Sequence, residues 1–175
     1  KDIFEDIIRH HKWRDVLCGS GSTMLYTEPL RQALPDFLNK HNITSMFDAP
    51  CGDYSWMSTV QFPENFEYIG GDIVSFMIDD NQSKYPNIDF RVFDITQDEF
   101  PNVDLLFCRD CLFHLSFQDI NLVINNIARS NIKYILTTSF VQGSNLDINT
   151  GEFRELSLEE GPYNFDKPID TIDDY

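Results

Sequence analysis

The sequence predicts an α/β fold: a Rossmann-like three-layer sandwich around a mostly parallel central sheet, with helices added at the N-terminus and a C-terminal end whose strands can be incomplete. Three observations predict it. Short apolar runs alternate with segments of helical periodicity between residues 45 and 139, the mark of successive βαβ units. Three of those runs end on an aspartate, Asp48, Asp72 and Asp94, where a parallel sheet opens its ligand crevice. The 175 residues, 42% hydrophobic, suffice for one full core but not for two. One domain over 1–175 is therefore expected. Residues 1–41 supply helices and a GSGST flap, 45–139 the ligand-binding core, and 141–175 an irregular segment.

In chain order, Ile3, Phe4, Ile7 and Ile8 recur at helical spacing within residues 2–14, predicting an amphipathic first helix. A second helix is expected from Thr27 to His41, with Thr27 as cap, Pro29 in the first turn, and Leu30, Leu34, Phe37 and Leu38 on one face. Pro35 is a candidate kink. Strands are expected over Ser45–Asp48, Phe66–Gly70, Asp89–Phe93, Val103–Cys108 and Lys133–Ser139, with helices over Tyr54–Val60, Val74–Lys84 and Phe117–Arg129. From Val141 onward Gly, Asn, Asp and Pro are frequent, which predicts loops with at most one edge strand.

Charge narrows the partners. A net charge of −16 with no run of Lys or Arg argues against a nucleic-acid substrate, because a polyphosphate backbone would be repelled over most of the surface. No stretch approaches the roughly 20 consecutive apolar residues of a membrane span. The N-terminus has no basic flank leading into an apolar run and a small-residue cleavage site. Cys18, Cys51, Cys108 and Cys111 lie in ordinary globular sequence without the dense spacing of a disulfide scaffold. A reducing, cytoplasmic setting without membrane attachment is expected. The chain starts at Lys1 and stops at Tyr175 after an acidic run, which is compatible with a trimmed fragment.

The first strand runs into FDAPCGDYSWM. Gly52 lets the backbone approach a ligand closely, while Asp48 and Asp53 can hold an amino group or order water around a cation. A plain turn into a helix would use the same residues. In YIGGDIV, Asp72 follows Asp48 by 24 positions, near the roughly 20-residue interval of a ribose-binding carboxylate. In FRVFDIT, Asp94 occupies the matching place, where a carboxylate can accept a hydrogen bond from an amino group. A single such aspartate reads as a helix cap; three at successive strand ends read as a site.

Through FDAPCGDY, YIGGDI, FRVFDIT and VDLLFCRDCLFHLS, in that order, the chain resembles the class I S-adenosylmethionine-dependent methyltransferases over about residues 45–139. The resemblance implies S-adenosylmethionine as cofactor, with S-adenosylhomocysteine as product. Asp48, Ala49, Pro50, Cys51, Gly52 and Asp53 would line its methionine and sugar end, Asp72 with Ile73 the ribose, and Asp94 with Ile95 the adenine. Trp56 and Arg109 join this lining. The sequence departs from the family's three-glycine turn: Gly52 alone is kept, flanked by Pro50 and Tyr54.

The fourth strand leads into CRDCLFHLS, placing Arg109, Asp110 and His114 toward an acceptor. Methyl transfer needs in-line positioning and often a base, so His114 is the first candidate base, with Asp110 as substitute or orienting partner. A buried structural histidine would look the same. Arg109 can grip an anionic acceptor group or bridge a neighbouring carboxylate. The GSGST loop, Gly19–Thr23, is either a flap offering backbone amides to an anion or an ordinary linker. Trp13, Tyr26, Tyr54 and Trp56 are wall or core aromatics. Cys108 and Cys111 form C-x-x-C without a second pair, so neither redox chemistry nor a zinc site is expected, and no metal.

The expected function is methyl transfer to oxygen or nitrogen of a small acceptor, with an anionic, phosphorylated or sugar-linked group as the finer expectation. The rivals are a non-catalytic S-adenosylmethionine-binding protein and a nicotinamide-dependent oxidoreductase. The second is disfavoured by the missing G-x-G-x-x-G and by carboxylates where a pyrophosphate would sit.

Overall fold

The computed structural model describes residues 1–10, 18–143 and 145–174. Five strands, β1 (Ser45–Asp48), β2 (Glu67–Asp72), β3 (Asp89–Val92), β4 (Leu105–Cys108) and β5 (Tyr134–Thr137), form one sheet in the order β3-β2-β1-β4-β5. Every neighbouring pair is parallel. Among the described residues four α-helices accompany the sheet: α1 (Asp2–Arg9), α2 (Glu28–Lys40), α3 (Ser75–Lys84) and α4 (Phe117–Ile127). β1 is flanked by β2 on one side and β4 on the other, so the topological switch point, and the crevice it creates, lies between β1 and β4.

The strands alternate strictly between two apolar layers, as a period of two requires. Met46, Tyr68, Leu105 and Phe107 join one cluster with Leu30, Leu34 and Leu38 of α2 and Ile78 of α3. Phe47, Ile69, Leu106 and Cys108 join the other with Ile120 and Val123 of α4. The register makes these neighbours, with Phe47 opposite both Ile69 and Leu106. The three-layer sandwich follows from this alternation. β4 is buried at every position, whereas the edge strands β3 and β5 are largely exposed or half-buried.

Several expected elements differ. Residues 11–14 and Trp13, placed in the first helix by periodicity, lie outside the described residues; the helix itself ends at Arg9. In place of a helix over Tyr54–Val60 there is a single 3-10 turn, Met57–Thr59. Tyr54 has φ +58°, off the helical region. The Ser58 and Thr59 hydroxyls bond the carbonyls of Ser55 and Trp56, competing with helix formation. Helix α2 continues through Pro35. Thr27 precedes it without donating a cap; its hydroxyl bonds the Thr23 carbonyl and accepts from Arg31 Nε.

After β5, no strand occurs among the described residues, yet the segment is well packed. Leu156 and Leu158 are buried in the α4 layer. Phe140 donates to the Leu156 carbonyl and Leu158 to the Ser139 hydroxyl. Phe153 and Phe165 are exposed, whereas Tyr163 is half-buried against the same layer.

One polar pair is enclosed with this core. Asp48 at the end of β1 is 2% exposed and accepts a 2.6 Å hydrogen bond from the Tyr68 hydroxyl of β2. Burial pushes the Asp48 carboxyl up to about 8, and the Tyr68 bond only partly opposes this.

Two outcomes follow. Burial raises the folded-state value of Asp48 above the unfolded 3.8, so ionisation opposes folding. Its stability contribution is complete below about pH 4 and lost as pH rises through about 8. Melting temperature should therefore fall from pH 5 to pH 9, and Asp48→Asn, which keeps an acceptor for Tyr68, should flatten that fall in a calorimetric scan. A Cβ at Gly71 would stand 2.5 Å from Phe47 Cζ and 3.1 Å from Phe93 Cβ. Gly71→Ala should cost about 1–3 kcal/mol in urea unfolding, because a closed core yields only by moving side chains or backbone off their minima.

Candidate functional site

The carboxyl ends of β1, β2 and β4, with the segment after β3, open into one cavity of about 320 Å³. All of the sequence-predicted residues line it: Asp48, Ala49, Pro50, Cys51, Gly52, Asp53, Trp56, Asp72, Ile73, Asp94, Ile95, Arg109, Asp110 and His114. Parallel strands end on the same side of a sheet, so the three successive aspartates converge although they lie far apart in sequence.

The turn after β1 is built for close approach. Gly52 has φ +55° and its missing Cβ would lie 3.0 Å from Cys18 Sγ, so a side chain there would be strained and crowded. Asp72 ties this turn to the start of α3: one carboxylate oxygen accepts from Gly52 N at 3.1 Å and the other from Val74 N at 3.0 Å. Asn81 Nδ2 donates to the Gly52 carbonyl at 2.8 Å. Burial raises the Asp72 carboxyl to about 6 despite these amides. A carboxylate has about four acceptor positions, so Asp72 can hold a hydroxyl pair as well as the two amides. Asp53 binds its own turn through Ser55. Asp94 accepts from the amide and hydroxyl of Thr96 and from Gln97 Nε2, and so also caps its turn. Ile73, Val74, Met77, Phe93 and Ile95 give this part of the cavity apolar walls.

Beyond β4 the side chains are tightly tied. Arg109 is 7% exposed. Its Nε lies 2.8 Å from Asp174 Oδ2, its Nη1 3.1 Å from Asp110 Oδ2, and its Nη2 donates to the Gly21 carbonyl at 2.9 Å. The guanidinium also stands 5.6 Å over the Trp56 ring. Asp110, at φ +51°, is fixed by Thr138, whose hydroxyl accepts from the Asp110 amide and donates to its carboxylate. Of the two openings left for Arg109, the bridge to carboxylates is what forms. The GSGST loop folds into the 3-10 turn Ser20–Ser22. The amides of Ser22 and Thr23 donate within that turn, and the loop presents a carbonyl, not an anion nest, to Arg109.

His114 closes the 3-10 turn Leu112–His114, and its Nδ1 lies 2.7 Å from the Glu152 carbonyl. A carbonyl only accepts, so Nδ1 carries the proton and Nε2 is the basic nitrogen of the neutral ring. Desolvation lowers its pKa below 6.5, keeping it neutral at physiological pH. The Cys111 thiol is raised well above its usual range by a hydrogen bond with Cys108 and by burial, and burial pushes Cys18 up to about 12. All four cysteines are free thiols.

Sequence reasoning missed several lining or supporting residues. Tyr68 could have been found, because a hydroxyl-bearing ring in a buried strand needs a partner. Lys1, Ile3, Phe4, Cys18, Asp119 and Thr150 also line the cavity, and Asp174 reaches Arg109 from the tail. No local signal marks these, since each depends on how distant segments fold back.

No family model matches the chain, and no curated protein matches it. Solved structures do. The PH0226 protein from Pyrococcus horikoshii OT3 is similar at 20% identity and TM-score 0.54, over 69% of this chain and 61% of that one. The DhpI–SAH complex is similar at 14% identity and TM-score 0.55, over 89% and 76%. An S-adenosylmethionine-dependent methyltransferase from Clostridium acetobutylicum ATCC 824 is similar at 13% identity and TM-score 0.52, over 78% and 54%. The chain spans less than two thirds of the length of the first and third of these. This chain has the Rossmann-like fold of the S-adenosylmethionine-dependent methyltransferases.

Proposed function

We propose that the protein transfers a methyl group from S-adenosylmethionine to an oxygen or nitrogen of a small acceptor. One observation carries this reading: Asp48, Asp72 and Asp94, from three successive strand ends, line a single cavity beside the Gly52 turn. The lining suits such a cofactor. Asp72 offers acceptor capacity for ribose hydroxyls, Ile73 and Ile95 offer apolar surface for a base, and the acidic surround suits a ligand bearing ammonium and sulfonium charges. S-adenosylmethionine, when bound, supplies an electrophilic methyl on sulfur.

The chain's own contribution is placement and proton removal. Arg109, held by Asp174, Asp110 and Gly21, ties the end of β4 to the tail and to the loop before α2. Nε2 of His114 is the nitrogen able to take a proton from the acceptor. Leu115 and Phe4 add apolar wall that limits water around it.

Calorimetric titration of the purified chain with S-adenosylmethionine and S-adenosylhomocysteine should give micromolar binding. Asp72→Ala should weaken it by about 1.5–3 kcal/mol, as for a hydrogen bond to a charged group; a folded protein that binds neither would remove the reading. His114→Gln should lower kcat by roughly 10²- to 10⁴-fold with little change in cofactor affinity. Because the wild-type His114 value lies below 6.5, kcat/KM for the acceptor, measured at saturating S-adenosylmethionine so that titration of Asp72 does not enter, should hold constant through neutral pH and decline only on the acid side of that value, a decline absent in the variant.

A further inference from the structure

The charge inside the cavity is lopsided. Asp53, Asp72, Asp94, Asp110 and Asp119 line it beside Asp48, which burial drives toward its neutral form, against Lys1 and Arg109 as cations. Lys1 is exposed and pairs with Glu5 at 3.7 Å. Each of the three Arg109 nitrogens already has a partner, and two of the three are carboxylates, one delivered by Asp174 from 65 positions away. The features that suggested an anionic acceptor are thus turned to other uses: Arg109 is neutralised, and the GSGST loop gives it a carbonyl. A phosphate or carboxylate entering here would lose its hydration and face net negative charge.

We propose that the acceptor is a compact amine that enters as an ammonium ion and carries no phosphate, sulfate or carboxylate. This rests on the methyl-transfer reading above. Asp119, in the first turn of α4, lines the same cavity as His114 and is the carboxylate that meets it. It accepts the Thr150 hydroxyl, with Thr150 in turn accepting from the Ser116 amide, so it is fixed in place and retains acceptor positions. Ile3, Phe4 and Leu115 line the cavity as well and receive the hydrocarbon body.

The reaction balances. The ammonium gives one proton to His114 Nε2, exposing the nitrogen lone pair. That pair forms the bond to the methyl carbon while the carbon–sulfur bond breaks, its electrons remaining on sulfur. The product is an N-methyl ammonium, a neutral thioether and protonated His114, which returns its proton to water.

The test uses the whole chain saturated with S-adenosylhomocysteine, near neutral pH. Binding of 2-phenylethylamine, 2-phenylethanol, 3-phenylpropionate and phenyl phosphate is measured by calorimetry. The amine should bind at least about tenfold more tightly than either anion, and Asp119→Asn should reduce amine affinity about three- to tenfold while leaving the alcohol unchanged. Asp174→Ala, which bares one side of Arg109, should narrow the gap between amine and carboxylate. Equal affinity for amine and carboxylate, or binding of neither at about 10 mM, overturns the amine assignment while bound S-adenosylhomocysteine keeps the methyl-transfer reading. Failure of a folded protein to bind S-adenosylhomocysteine overturns both.

Discussion

The burial of β1 and β4 between two apolar layers is the constraint from which the site follows. A strand covered on both faces has no room for polar side chains along its length, so Met46 and Phe47, and Leu105 through Phe107, are apolar and almost wholly enclosed. Polar chemistry can begin only where the strands stop. Because all five strands run parallel, they stop together, and Asp48, Asp72 and Arg109 are gathered at one edge by topology. The Asp48–Tyr68 bond marks the limit of this logic, a carboxyl far enough inside the core that it needs a hydroxyl from the next strand and is driven toward its neutral form.

Much of the sheet was legible because burial on both faces leaves a continuous apolar run that few other structures produce. β1 begins and ends where the run SMFD does. β2 extends two residues past its expected end, to Asp72, because its glycines pack beneath Phe47 and Phe90, a tertiary fact with no local pattern. The Tyr54–Val60 helix failed for the opposite reason: helical apolar spacing was present, but Tyr54 sits in the left-handed region and the neighbouring hydroxyls bond backbone carbonyls. The candidate site was legible where it follows strand ends. It was illegible where it depends on return of the chain, as at Phe4, Asp119 and Asp174, whose roles arise only once the termini lie against the cavity.

The charged groups of the site differ in how firmly they are fixed. Asp72 braces the Gly52 turn through the Gly52 amide and the start of α3 through the Val74 amide, so the same carboxylate that faces the cavity also sets the backbone path beside it. Arg109 is the corresponding hub at β4, tying the loop before α2, Asp110 and the tail into one knot. Such arrangements favour preorganisation, since side chains already held by the protein need little ordering when a ligand arrives.

Leu156 and Leu158 give the tail a consequence for how the protein is made. On a ribosome β5 is complete at Thr137, but the layer formed by Phe47, Leu106 and Ile120 lacks two of its buried members until residue 158 has followed. During that interval the α4 layer is incompletely covered, and exposed apolar surface of this kind promotes aggregation. Residues 156–158, though they add no strand among the described residues, complete the cover of that layer.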